Sequence, residues 1–427
     1  MTLPTDDEAR ALRAHWTLDP DVRFLNHGSF GACPRVVLEE QSALRARLER
    51  QPLQFFRDLE RLLDGSRSAL ATLLGADADD LCFVPNASTG VACVIRSLQF
   101  SPGDEILTTN HVYNSCRNTL QFAVEQGARI VVAEVPFPLS TPEQVTAAIL
   151  SAATPRTRLA LIDHITSATG LVFPIAEIVR ALGARGVEVL VDGAHAPGMI
   201  PLALDAISAA YYTGNCHKWL CTPKGSAFLH VRRDKQRKAA PGAVVSDLRS
   251  SLPLEIPAIL PWTLGHGLNS TRTDRSRFRL LWDLVGTVDA TPWLCIPSAI
   301  KFLGGLFPGG LDELQKRNHA LALEGQKLLC AAVGCERPAP PEMIGALASV
   351  PLPDRPRGEQ PHPRFIGWDP LASRLLANHR IEAPVFPWPT AQKRLVRVAA
   401  QAYVAPSELN ALARALNEEL QAESRAR

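Results

Sequence analysis

Lys218 lies in the run Thr213-Gly214-Asn215-Cys216-His217-Lys218-Trp219, a polar turn between two apolar stretches, 206–212 and 226–231, that read as strands. An ammonium is costly to take out of water. A lysine set between buried strands is therefore suited to work as a neutral amine, for example bonded to a carbonyl cofactor. Upstream, Val189-Leu190-Val191 ends at Asp192, and Gly193-Ala194-His195 follows. A carboxylate at the end of a buried strand can keep a ring nitrogen protonated, and a protonated ring draws electrons. A third feature is Pro85-Asn86-Ala87-Ser88-Thr89-Gly90, a small polar turn between strand-like 81–84 and helical spacing from Val91. Such a turn makes an anion site, because free N–H groups and the helix dipole both point into it. Each feature alone has an ordinary use, as a solvated loop or a helix cap. Together they indicate a cofactor site.

These features need a scaffold that gathers strand ends. Strand patterns recur at 81–84, 105–109, 128–135, 158–163 and 187–192, with helical spacing at 118–125 and 175–184 between them and at 36–75, where Pro52 divides two helices. This alternation predicts an α/β fold with a large, mostly parallel sheet sandwiched by helices. Ligands of such sheets bind at the carboxyl ends of the strands. There the chain carries Asn110-His111-Val112-Tyr113, Asp163-His164-Ile165-Thr166-Ser167 and Asp192-Gly193-Ala194-His195. From residue 300 the character changes to helices at 311–333 and 406–422 flanking strands at 344–352 and 396–400. The expected organisation is an N-terminal segment 1–34 that contributes to the active site, a large domain 35–299 and a smaller α/β domain 300–427. Residues 232–275 read as irregular, and the proline-rich 351–363 as a loop and candidate lid.

Composition narrows the class. The 427 residues carry 45 Lys+Arg against 43 Asp+Glu, a net charge of +2, so no basic face is expected for nucleic acid or an anionic membrane. Hydrophobic content of 46% with 21% charged residues is that of a soluble globular enzyme. Nine scattered cysteines lack metal-site spacing and read as reduced thiols, with no metal expected. The polar, acidic start and the lack of any apolar run near about 18 residues point to a cytoplasmic protein.

Four motifs in order carry a family resemblance: Phe24-Leu25-Asn26-His27-Gly28-Ser29-Phe30-Gly31, Asp163 to Gly170 (DHITSATG), Trp282 with Gly286-Thr287-Val288-Asp289 and Pro292-Trp293, and Arg397 to Tyr403 (RVAAQAY). With Asp192 and Lys218 they resemble the class V aminotransferase superfamily of fold-type I pyridoxal-phosphate enzymes, closest to the isopenicillin N epimerase-like branch. The resemblance implies pyridoxal 5'-phosphate bound to Lys218 as a Schiff base, with Lys218 then serving as acid and base at the substrate Cα. It implies Asp192 on the pyridine nitrogen, His195 and Ser167 at the phenolic oxygen, and Ser88, Thr89, Asn215 and His217 around the phosphate. His111 or Tyr113 would stack on the ring. Thr287 would reach the phosphate of a neighbouring subunit, which implies a homodimer with shared sites. Arg397 would clamp the carboxylate of a small amino-acid substrate, and Asn26 would lie near that substrate.

The chain departs from the branch at Ala399 and Val404, beside Arg397, where serine and asparagine are common. No cysteine occurs between Met343 and Pro389, where persulfide-forming desulfurases place their nucleophile. The expected activity is chemistry at Cα or Cβ of an amino acid, epimerase-like, with a C–S lyase acting on a cysteine conjugate or sulfoxide as the alternative. A non-catalytic binding module of the same fold is the alternative of a different class. The intact Asp192, Lys218 and Arg397 weigh against it, and only about 20 residues precede the first motif, too few for a DNA-binding domain.

Overall fold

The computed structural model describes residues 3–237, 245–246, 253–254, 257–356, 358–359 and 369–425. After a capped helix at Asp6–Arg13 come two long helices, α1 (Arg35–Arg50) and α2 (Pro52–Leu74). Proline suits the first turn of α2, where its missing N–H is no loss, and Gly75 ends the helix in the left-handed conformation at φ 57°. Phe55, Leu59, Leu63, Leu70 and Leu74 recur at helical spacing and are buried. Removing one such leucine from the core costs about 2–5 kcal/mol.

A seven-stranded sheet follows: β1 (Leu81–Val84), β2 (Glu105–Thr109), β3 (Arg129–Ala133), β4 (Thr157–Asp163), β5 (Glu188–Asp192), β6 (Tyr211–Asn215) and β7 (Ala227–Val231). Its order is β1-β7-β6-β5-β4-β2-β3, and β7 alone runs antiparallel to its neighbours. The helix α3 (Ala87–Ser97) leaves the end of β1. The middles of the central strands are buried and mostly apolar because both faces are covered, as at 159–162 and 189–191. Successive side chains enter two different cores: Val189 and Val191 join one, Leu190 the other. This is the mostly parallel α/β sandwich that the alternation predicts.

The C-terminal part holds α4 (Gly310–Val333), an antiparallel sheet of β8 (Leu347–Leu352), β9 (Val385–Pro387) and β10 (Arg394–Ala399), and α5 (Pro406–Arg425). A helix at Ile296–Gly304 runs across the expected boundary at 299/300. The N-terminal segment is tied to this part: Arg23–Phe24 pairs in parallel with Ile381–Glu382, and Asn26 bridges to Ala399.

Three local expectations need correction. The stretch 206–212 is not one strand: Leu204–Ile207 forms a helical turn ended by Ser208 at φ 55°, and β6 starts at Tyr211. The turn expected through Gly90 is already helix from Ala87, because the Asn86 side chain caps it early. The helix expected at 118–125 is two short ones, Asn114–Thr119 and Gln121–Val124. His27–Phe30, inside the first motif, forms a helical turn. Within the proline-rich loop, residues 357 and 360–363 lie outside the described residues, as does the lid reading that depends on them. So do 238–244, 247–252 and 255–256 of the irregular stretch.

Candidate active site

The carboxyl ends of β4, β5 and β6 place Asp163, Asp192 and Asn215 side by side. Above them is a cavity of about 350 Å³. Ser88 at the start of α3, Tyr113, Ser167, His195, His217 and Lys218 also line it, and Ser29 and Phe30 close it from the N-terminal segment. Eight of the residues expected at the site are thus brought to one cavity: Ser88, Tyr113, Ser167, Asp192, His195, Asn215, His217 and Lys218.

The anion end is built by mutual capping. Asn86 Oδ1 accepts from the Thr89 N–H at 2.8 Å and the Thr89 hydroxyl at 3.0 Å, and Asn215 Oδ1 accepts from the Ala87 N–H at 2.9 Å. Thr89 is therefore occupied with the cap and faces the neighbouring groove, while Ser88 lines the cavity. Gly90 lets α3 close on β6, since a Cβ there would stand 2.3 Å from Thr213 Oγ1. His217 Nδ1 donates to the Ser226 carbonyl at 2.9 Å, which leaves Nε2 as the second ring position. Burial pulls this imidazole down to about 4. A bound dianion is what would draw a proton back onto it.

Lys218 is half-buried, and its Nζ lies 3.2 Å from His195 Nε2. Trp219 Nε1 donates to His195 Nδ1 at 3.4 Å, so the neutral His195 ring carries its proton on Nε2, toward Lys218. Burial, aided by the charge of Arg397 and opposed by Asp192, lowers the Lys218 ammonium to about 8. Asp192 accepts from the Ala194 N–H at 3.0 Å and from the Cys116 thiol at 3.1 Å. A carboxylate so placed keeps acceptor capacity for one more donor.

The N-terminal motif bolts onto the Lys218 turn from behind. His27 Nε2 donates to the Lys218 carbonyl at 3.0 Å, and His27 Nδ1 accepts from the Tyr403 hydroxyl at 2.8 Å. Gly31, at φ 71°, comes so close that a Cβ would stand 2.2 Å from the His217 carbonyl oxygen. Asn26 lies one layer back, not on the cavity: its Oδ1 accepts from Ser29 Oγ at 2.6 Å and its Nδ2 donates to Glu382 Oε1 at 3.2 Å. Arg397 is buried, donates to the Ser167 carbonyl and, at 3.2 Å, to Ser29 Oγ, and has no partner for Nε. Burial alone lowers it, to about 9. A buried guanidinium without a carboxylate is expensive unless a ligand supplies one.

Of the two aromatic candidates, Tyr113 lines the cavity and His111 does not. Both nitrogens of His111 are engaged, with Thr169 Oγ1 at 2.8 Å and the Val135 carbonyl at 3.0 Å, and its ring packs 4.7 Å from Trp388. It is part of the wall. Thr287 is exposed and away from the cavity. Sequence reasoning passed over Ser29, Phe30, Cys116 and Asp163. The first two lie inside the LNHGSFG run, and Asp163 opens DHITSATG at a strand end, which was the available signal.

The set fits a flat cofactor with an anionic tail, a basic ring nitrogen and an aldehyde: capped helix start, free acceptor on Asp192, amine on Lys218. The chain also has close relatives in sequence. The family described as Aminotransferase class-V matches residues 24–255. Isopenicillin N epimerase of Streptomyces clavuligerus is 33% identical over 95% of this chain and 96% of its own. A probable chloroplastic L-cysteine desulfhydrase of Arabidopsis thaliana is 31% identical over 93% of this chain and 83% of its own. Among solved structures, a C-DES variant with glycine covalently linked to its PLP cofactor superposes with a TM-score of 0.73 at 21% identity, covering 95% of this chain and 99% of that one.

Proposed function

The chain belongs to the Aminotransferase class-V family, and from that premise we propose that it is a pyridoxal-phosphate enzyme that removes the Cα proton of a small amino acid. The observation that carries this is the sharing of one cavity by Lys218, Asp192 and the capped start of α3. Bound pyridoxal phosphate supplies the electron sink that makes a Cα proton removable.

The protein's residues do the rest. Ser88, Asn215 and His217 would hold the phosphate end, and Asp192 would keep the ring nitrogen charged. Tyr113 would pack against the ring, and Ser167 and His195 would hold the phenolic oxygen, all three lining the cavity. Lys218, with its ammonium lowered to about 8, is a neutral base in a useful fraction near neutral pH, and it moves the proton at Cα. His195, 3.2 Å away, holds the amine in line. Arg397 binds the substrate carboxylate through the guanidinium edge that lacks a partner, with Ser29 turning aside to admit it. Asn26 then acts through Ser29 rather than on the substrate. Thr287, exposed and away from the cavity, would then serve a second copy of the chain in a homodimer. Among the described residues no helix is long and apolar enough to cross a membrane.

Return of the proton to the other face is epimerisation, as in the Streptomyces relative. The second reading is C–S lysis, favoured by the desulfhydrase relative and by the lack of cysteine between Met343 and Pro389, which leaves no thiol there to take up sulfur. The test is an amino-acid panel in heavy water. Deuterium at Cα with both enantiomers formed supports epimerisation; pyruvate and sulfide from cysteine substrates support the lyase. No exchange and no elimination from any member of the panel would sink the proposal.

A further inference from the structure

Asp163 is a buried carboxyl on the cavity that the chemistry above does not use. It ends β4 directly beside Asp192, the two being register partners of neighbouring parallel strands, so both side chains stand on the same side of the sheet. Both are about 2% exposed, and both line the cavity. Asp192 is well supplied with donors, yet Asp163 Oδ2 has no hydrogen-bond partner in its buried position. A bare carboxylate oxygen there would be costly; a carboxylic O–H is not.

We propose that Asp163 is a positioning residue that holds a proton beside Asp192, so that the pair carries a single negative charge and Asp192 keeps it for the ring nitrogen. The groups that face the pair are Cys116 from the short helix after β2, Tyr113 before that helix, Tyr212 from β6, and Lys218 and His195 across the cavity. Burial, and then the charge of Asp192, push Asp163 well above the usual carboxylate range, and main-chain N–H groups of Tyr113 and Asp163 offset only part of this. Asp192 is also raised by burial, but the Cys116 thiol, the Ala194 N–H and Lys218 pull it back. Two like charges so close do not both ionise, and the proton settles on the partner with fewer donors. The inference rests on reading Asp192 as the partner of the ring nitrogen.

Two measurements separate the parts. Difference infrared spectra of wild type minus D163N, taken on apoprotein and holoenzyme between about pH 6 and 8, should show a protonated carboxylic acid lost in the variant. Loss of ionised carboxylate bands instead would overturn the proton placement, whatever Asp192 does. Cofactor titration of the apoproteins should leave D163N within about threefold of wild type and weaken D192N by about tenfold or more, one pKa unit's worth of charge interaction. Equal weakening of both would mean that Asp163 carries charge, and full affinity in D192N would mean that Asp192 is not the ring's partner. Asp163→Ser takes the place of D163N in both experiments if the amide does not fold.

Discussion

Lys218 Nζ stands 3.2 Å from His195 Nε2, and the Lys218 carbonyl accepts from His27 Nε2 at 3.0 Å. One histidine thus fixes the lysine's amine and another its main chain. The residue is held at both ends, by one histidine 23 positions away and by another 191 positions away in the chain.

His27→Ala leaves the Tyr403 hydroxyl buried without its partner and leaves the Lys218 carbonyl with only the Cys221 N–H. An unsatisfied buried group costs about 1–3 kcal/mol. The variant should unfold at correspondingly lower denaturant concentration, and turnover should fall because the Lys218 turn loosens. Urea melts of wild type and variant, with turnover measured under native conditions, check both effects.

Activity should depend on pH through Lys218. Its ammonium lies at about 8, so the neutral amine of the apoprotein grows as pH rises through 8 and is nearly complete two units above. The rate at which apoprotein takes up cofactor should rise along the same curve and then level off. A rate that falls across that range would assign the titration to another group.

Arg397→Lys keeps the charge but loses the planar fork that matches a carboxylate. KM for the amino acid should rise about tenfold to a hundredfold, the equivalent of roughly 1.5–3 kcal/mol, with the bound-cofactor absorbance unchanged. Steady-state kinetics beside a visible spectrum test the split.

Asp369 is the centre of a structural ion cluster, accepting from Arg355 Nε at 2.8 Å and from Arg394 Nη1 at 3.1 Å, with all three residues buried. Asp369→Ala should cost about 3–5 kcal/mol, because it strands buried positive charge. Chemical denaturation reads this, and the cofactor spectrum of the folded fraction should not change.

Much of this was legible in the sequence where burial is extreme. Leu81–Val84 is a short apolar run followed by a polar turn, and Glu188–Asp192 has an apolar middle and a carboxylate at its end; buried strands satisfy both patterns well, and the two carry the two ends of the site. Asp192 and Lys218 stood out because charge at a buried strand end needs a reason. What failed to show was direction. Spacing could not tell that His111 turns into the wall while Tyr113, two residues on, meets the cavity, because a tight turn after Thr109 decides it. Nor could it separate Ser88 from Thr89, since the choice depends on which one the Asn86 cap consumes. The strand expected from residue 206 was misplaced for a related reason: Leu204 and Ile207 pack as one helical turn before the sheet resumes.

The most direct test of the account is chemical: reduce the cofactor-loaded protein with borohydride, digest it and sequence the modified peptide by mass spectrometry. The account predicts that the visible absorbance is lost on reduction, that the pyridoxyl label is found on Lys218 and that Lys218→Ala carries none. Label on Lys224 or another lysine, or no label on a protein that binds the cofactor, would contradict it.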